Sequence, residues 1–259
     1  MKIGIFDSGI GGMTVLHQAF LSLPKEEYLY YADVDHVPYG VKKKEDIIRY
    51  VDDAVKFMIS KDVKAVVIAC NTATSVAIEA LRGKYSIPIL GIEPAVKPAV
   101  EGCEGKRIMV IATPVTVREE KLKNLIARVD EDHLVDLLPL PRLVTFAERG
   151  EFNSPELGQY LKSEFSKYNL SDYSILVLGC THFNFFKDSY RRFFPKCVSI
   201  IDGSEGTIRH LEDVLRENNL LENNICSAEY YLSGRKVTDK ASLERIEKLH
   251  QRLDEMLRV

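Results

Sequence analysis

Short runs of apolar, often β-branched residues punctuate the chain, and between them apolar positions recur at helical spacing. Residues 2–6, 28–32, 65–69 and 87–91 each read as a buried strand. A second series follows at 107–112, 134–138, 175–178 and 198–201. Continuous apolar runs of this length suit strands covered on both faces, as in parallel sheets flanked by helices. Over residues 44–61, Ile47, Ile48, Val51, Val55 and Met58 fall on one face of a predicted helix. The tail at 241–257 carries a similar stripe, Leu243, Ile246, Leu249, Leu253 and Leu257, and predicts a terminal helix packed on the body or partly on a partner. Strands alternating with helices place the chain in the α/β class with mostly parallel strands.

The two series resemble each other. Residues 64–75 (KAVVIACNTATS) end an apolar strand on Cys70, followed by Asn71 and Thr72. Residues 174–185 (SILVLGCTHFNF) do the same with Cys180, Thr181 and His182. Upstream, the first strand of each series closes on small polar groups, Asp7-Ser8-Gly9 in one and Thr113 with Thr116 in the other. An internal duplication predicts two similar α/β domains. Open parallel sheets bind ligands at the carboxyl ends of their strands, so two such edges face to face would form a cleft with one cysteine on each wall.

Composition narrows the function without naming it. At 259 residues the chain can bury one large core or two of roughly 100 to 130 residues each. The formal net charge is −3 and no basic cluster tracks one face, so nucleic acid is not an expected partner. The Lys42-Lys43-Lys44 run reads as a solvated helix start. The first apolar run is too short for a secretory signal, and no stretch reaches the roughly 18 apolar residues of a membrane span. Five widely spaced cysteines, Cys70, Cys103, Cys180, Cys197 and Cys226, argue for reduced thiols in the cytoplasm.

Cys70 and Cys180 are the candidates for chemistry. A free cysteine after a strand is usually a small buried hydrophobe. This pair differs because hydrogen-bonding residues follow both. A helix N-terminus after each thiol is expected to lower its pKa. The other three cysteines lack such surroundings. With neither CxxC nor HxxxH spacing, no metal site and no thioredoxin-like exchange are expected. Asp7-Ser8-Gly9-Ile10-Gly11-Gly12 matches neither the dinucleotide nor the P-loop pattern, but its amides can hold a carboxylate as readily as a phosphate.

Five segments, DSGIGG at 7–12, VPYG at 37–40, ACNTAT at 69–74, GIEPA at 91–95 and LGCTHF at 178–183, resemble the signature segments of the bacterial glutamate racemases, in that family's order. The resemblance covers roughly residues 1–206. It implies a cytoplasmic, cofactor-independent enzyme of the Asp/Glu racemase family that makes D-glutamate for peptidoglycan, acts without metal, and forms a homodimer. It also implies a first domain of residues 1–96 plus 207–259, a second of 97–206, and substrate between them. By matching position, Cys70 would serve the D-enantiomer and Cys180 the L-enantiomer. Asp7 would assist Cys70, while His182 and Glu148 would assist Cys180. Ser8, Tyr39, Gly40, Asn71, Thr72, Thr113, Thr116 and Thr181 match substrate-contacting positions, as do Asp7 and His182. Two departures stand out: Val115 where the family commonly has Gly, and Phe183 where Tyr is common.

Inverting a stereocentre by proton transfer needs a base on one face of the α-carbon and an acid on the other, and two thiols on opposite walls meet that need in both directions. Without an electron sink, fixed donors and water exclusion must stabilise the carbanion. The rivals within the family are an aspartate or broad-specificity racemase and a one-thiol decarboxylase. The second cysteine disfavours the decarboxylase, and the Cys-Thr-His triplet disfavours aspartate. A rival of another class is a regulatory binding protein without catalysis, which the intact Cys, Asp and His set disfavours.

Overall fold

The computed structural model describes residues 1–259. The first half runs β1 (Lys2–Asp7), α1 (Met13–Ser22), β2 (Glu27–Ala32), α2 (Lys44–Ile59), β3 (Val63–Ile68), α3 (Asn71–Lys84) and β4 (Ile89–Gly91). The second runs α4 (Val96–Gly102), β5 (Arg107–Ala112), α5 (Pro114–Arg118), α6 (Glu120–Val129), β6 (Val135–Pro139), α7 (Pro141–Glu148), α8 (Pro155–Phe165), β7 (Tyr173–Gly179), α9 (Lys187–Tyr190) and β8 (Ser199–Asp202). The chain closes with α10 (Ser204–Glu217), β9 (Ser227–Leu232), β10 (Arg235–Lys236) and α11 (Lys240–Met256).

Two sheets result, β10-β9-β2-β1-β3-β4 and β6-β5-β7-β8, parallel throughout except for the β9–β10 pair. Four adjacent strands of the first sheet, β2-β1-β3-β4, repeat the order of the second. In each, the chain leaves a central strand, adds a neighbour on one side and then crosses to the other. Such a reversal opens a crevice at the carboxyl ends of the strands. All eight anticipated strands are present. β9 and β10 were not anticipated, and β9 extends the first sheet alongside β2. Its sequence, SAEYYL, has no β-branched residue and carries Glu229, so it gives little strand signal.

Register sets the site. Asp7 pairs with Ala32 across β1–β2, and Phe6 with Ile68 across β1–β3, so Asp7, Asp33 and Cys70 follow at one edge. Ala112 pairs with Gly179 across β5–β7, which brings Thr113 and Cys180 to the matching edge of the second sheet. β3 is buried along its whole length, which explains its unbroken apolar run.

The largest buried cluster runs through both halves, from Ile3 and Ile5 through α1 to Phe183, Phe185 and Phe186, and on to Leu249 and Leu253. On α2, Ile47, Val51, Ala54, Val55 and Met58 form the buried face, while Glu45 and Asp46 in the first turn suit the helix dipole. The terminal helix departs from its predicted stripe. Leu249 and Leu253 are buried, joined by Met256 and Arg252, but Leu243 and Leu257 are exposed. Arg252 is tolerated there because its guanidinium donates to the Phe185 carbonyl at 2.9 Å and to Asp188 at 2.7 Å.

One buried ion pair ties the strands to the connection before β9. Lys64 Nζ lies 2.5 Å from Glu26 Oε2 and donates to the Leu220 carbonyl at 2.6 Å. The other Glu26 oxygen accepts the Glu222 amide at 2.8 Å. Removing one partner strands a charge in the interior, which costs about 3–5 kcal/mol. Lys64→Ala is therefore expected to lower the urea-derived unfolding free energy by about that amount, with Lys64→Met/Glu26→Leu recovering most of it. A loss below about 1 kcal/mol in the single variant would mean that the pair anchors nothing.

Candidate active site

Each thiol sits where a strand hands over to a helix. Cys70 caps α3 in extended backbone, with φ −77° and ψ 116°, and its Sγ accepts the Ala73 amide at 3.4 Å. It takes the place that Ser or Asp usually fills at an N-cap. Cys180, at φ −149° and ψ 133°, precedes the 3₁₀ helix Thr181–Phe186. Both thiols are buried, at 6% exposure. Cys103 is buried elsewhere, in the core of the second sheet, while Cys197 is exposed and Cys226 half-buried.

Two chains of polar contacts lead away from the thiols. Cys70 donates to Ser8 Oγ at 3.7 Å, and Ser8 donates to Asp7 Oδ1 at 3.3 Å. Asp7 therefore reaches Cys70 through a hydroxyl. On the other wall, His182 Nδ1 faces Cys180 Sγ at 3.9 Å, and His182 Nε2 meets Glu148 Oε1 at 2.7 Å. The chains join at Thr181, whose hydroxyl donates to Asp7 Oδ2 at 2.9 Å while its carbonyl accepts from Thr14 at 3.1 Å.

The glycine-rich turn does hold carboxylates, and they are the protein's own. Gly9 N–H donates to Asp7 Oδ1 at 3.0 Å, and Ile10 N–H donates to Glu148 Oε1 at 2.8 Å. Gly11 is required by proximity, since a Cβ there would stand 2.3 Å from His182 Nδ1 and 2.4 Å from Thr181 Oγ1. Hydroxyls from the two halves also meet one another. Thr72 Oγ1 lies 2.8 Å from Thr113 Oγ1 and 3.3 Å from Thr116 Oγ1, which are 3.0 Å from each other. Gly40 packs against Thr113, and Tyr39 donates to Asp33 Oδ2 at 2.6 Å. Asn71 is buried with its Oδ1 unpartnered. Every residue singled out from the sequence thus lies in this one region.

Asp33 and Thr14 were missed. Asp33 is buried and gathers Tyr39, His36 and Ser233 around its carboxylate, which fixes the loop carrying Tyr39 and Gly40. Its position directly after a strand is the same signal that marked Asp7.

Electrostatics correct one expectation. The Cys70 pKa is raised well above that of a free thiol, not lowered. Burial is the main cause, followed by the charge of Asp7; the Ala73 amide pulls the other way and loses. Burial also pushes Asp7 up, against His182 and the hydrogen bonds from Gly9 and Thr181. Burial alone would depress His182, yet its contacts with Cys180 and Glu148 outweigh this and raise it well above 6.5. Glu148 is held below its usual 4.5, because His182 and the Ile10 amide overcome the effect of burial. Both ring nitrogens of His182 are engaged, Nδ1 with Cys180 and Nε2 with Glu148, and these contacts favour its charged form. No group of three or more His, Cys, Asp or Glu side chains is arranged to hold a metal ion.

The linkage to stability has a definite sign. A raised His182 stabilises the fold fully below 6.5, its unfolded value, and this is lost as pH rises through the folded value. A depressed Glu148 stabilises above 4.5 and loses that contribution as pH falls through its folded value. In urea titrations, His182→Asn is therefore expected to destabilise at neutral pH, with the difference from wild type narrowing under alkaline conditions. A difference that widens instead would contradict the ion pair. Gly11→Ala is expected to move the His182 NMR titration back toward 6.5 by displacing the ring from Glu148. An unmoved titration would show that Gly11 does not control the ring.

Residues 14–211 match the Asp/Glu/Hydantoin racemase family. The chain is 51% identical to a glutamate racemase of Lachnospira eligens, with all of both chains covered. Among solved structures it resembles glutamate racemase isoform RacE1 of Bacillus anthracis, with a TM-score of 0.83 at 28% identity over 95% of this chain and 92% of that one. It also resembles the Francisella tularensis glutamate racemase in complex with D-glutamate, with a TM-score of 0.81 at 28% identity over 96% and 93%.

Proposed function

The chain belongs to the Asp/Glu/hydantoin racemase family, and from that premise we infer that it interconverts L- and D-glutamate without a cofactor. The observation that carries this reading is end-to-end similarity to glutamate racemases together with a buried cysteine at the carboxyl edge of each sheet.

The reaction proceeds in two proton transfers. With L-glutamate, the Cys180 thiolate takes the α-proton and becomes a thiol, leaving the electron pair of the C–H bond on the α-carbon and its carboxylate. The Cys70 thiol then delivers its proton to the opposite face and becomes a thiolate. D-glutamate runs the same steps backwards. The raised Cys70 pKa suits the donor role with L-glutamate, since that thiol keeps its proton until a carbanion forms. His182, held by Glu148, shares the proton that Cys180 gains or gives up. Asp7, acting through Ser8, does the same for Cys70.

The α-proton of an amino acid is weakly acidic, so the carbanion needs donors fixed in advance in a dry site. Ser8, Asn71, Thr72, Thr113, Thr116 and Thr181, with the backbone around Tyr39 and Gly40, supply these and bind the substrate. The threonine hydroxyls that now satisfy one another turn to substrate once the cleft is occupied. Residues 1–96 with 207–259 and residues 97–206 are the two units that open and close about it. By family relationship the enzyme works as a homodimer in the cytoplasm and supplies D-glutamate for peptidoglycan. It needs no nucleic acid or membrane partner, and no helix is long and apolar enough to cross a membrane.

Circular dichroism of the purified protein with L-glutamate, and no added cofactor, is expected to show the substrate signal decay to zero. Cys70→Ala and Cys180→Ala should each abolish that decay while remaining folded, and Cys103→Ala should leave it unchanged. A folded Cys180→Ala variant with wild-type turnover would refute the two-thiol scheme. Aspartate is expected to be racemised at least about 100-fold more slowly in kcat/KM, because its shorter side chain leaves buried polar groups unpaired. Comparable values for the two amino acids would instead mean a broad-specificity racemase.

A further inference from the structure

Helix α7 delivers Glu148 to the site, so the end of that helix must be held. Its exit is well defined. Glu151 N–H donates to the Phe146 carbonyl at 2.9 Å and Gly150 N–H to the Ala147 carbonyl at 2.8 Å, with Gly150 in the left-handed region at φ +71°. This is the Schellman arrangement, which satisfies two of the carbonyls a helix leaves open at its C-terminus. The Arg149 amide satisfies a third, that of Thr145, at 3.1 Å. The carbonyl of Glu148 itself receives its partner from the far end of the chain, as Arg245 Nη2 on α11 donates to it at 2.6 Å.

We propose that Arg245 is a positioning residue for racemisation, fixing the end of α7 so that Glu148 holds His182 against Cys180. This rests on the reading of Cys180 and His182 given above. Three further observations support it. First, one Glu148 oxygen meets both the Ile10 amide and His182 Nε2, and a small shift of the helix end would break one or both. Second, Arg245 is a cation of α11 whose contact is with the end of α7 and not with a carboxylate. Its neighbour Arg252 is paired with Asp188 and Glu255, and Arg149 lies near Glu151, whereas Arg245 has a main-chain oxygen as its partner. Third, α11 is a firm base, since Leu249, Leu253 and Met256 are buried in the body. The Arg245 charge also helps to keep Glu148 ionised, after the larger effects of His182 and Ile10.

Arg245 lines an open groove with Ile10, Ala147, Gly150 and Lys248, so it can be altered without disturbing the core. The test compares Arg245→Gln, Arg245→Lys and the groove control Lys248→Gln, measuring kcat/KM and primary isotope effects with α-deuterated L- and D-glutamate. The enantiomers have equal free energy, so any fall in kcat/KM must be equal in the two directions. Arg245→Gln is expected to lower it about three- to tenfold, the scale of a partly exposed charge-assisted hydrogen bond. The diagnostic readout is the isotope effect. Slowing the transfer at Cys180 makes it larger with deuterated L-glutamate and smaller with deuterated D-glutamate, because the Cys70 step becomes less limiting. Arg245→Lys should restore most of the rate, and Lys248→Gln should match wild type.

A merely structural loss would lower activity and leave both isotope effects unchanged, which would overturn the proposal, as would wild-type kinetics in Arg245→Gln or a failure of Lys to rescue. His182→Asn separates the two levels of inference. If it shifts the isotope effects in this opposed way and Arg245→Gln does not, the role of Arg245 alone is wrong. If His182→Asn shifts neither, the assignment of His182 to Cys180 is wrong.

Discussion

A single carboxylate oxygen, Oε1 of Glu148, accepts the amide of Ile10 from one half of the molecule and the ring of His182 from the other. Most of the site depends on that junction. It needs a turn after β1 that exposes its amides, and a residue without a side chain at Gly11 so that His182 can approach. It needs α7 to end where it does. From it follow the orientation of His182, the contact with Cys180, and through Thr181 the tie to Asp7 and the opposite thiol. The contacts behind the two thiols follow the same plan, a cysteine, then a polar side chain, then a carboxylate. Different side chains fill the middle place: a hydroxyl behind Cys70 and an imidazole ring behind Cys180.

That difference gives the two walls distinct electrostatic characters. A helix N-terminus favours negative charge by only about 0.3–1 kcal/mol, whereas stripping water from an ion costs several kcal/mol. At Cys70 the second effect wins, reinforced by Asp7, and the thiol holds its proton. At His182 the contacts with Cys180 and Glu148 outweigh burial and favour the charged ring. One continuous buried cluster is shared by the two halves of the chain.

The parallel sheets, their repeated order and the placing of both cysteines were legible because a strand buried on both faces writes a continuous apolar run, and reactive groups follow where it ends. Asp33 carried that same signal, but a lone carboxylate after a strand does not reveal that it holds Tyr39. β9 was not legible, because a strand of mixed polar and aromatic residues lacks both alternation and β-branching. The stripe on α11 overstated its buried face, since periodicity does not reveal that Leu243 and Leu257 lie beyond the covered span, nor that Arg252 can be buried on a carbonyl. The expected thiol shift failed for a similar reason. Local sequence shows the helix start but not the depth of the site. Arg245 lies far from Glu148 in the chain, and only the folded structure makes them neighbours.

The central claim is that two thiols act on opposite faces of one carbon, each with its own proton. Racemisation of L-glutamate in deuterium oxide, stopped after a few per cent conversion, tests it most directly. The account predicts that the D-glutamate formed carries deuterium at the α-carbon, delivered by solvent-exchanged Cys70, while the unreacted L-glutamate remains protiated. D-glutamate that retains the substrate's own α-proton would mean that one group carries the proton from face to face, and would contradict the two-thiol mechanism.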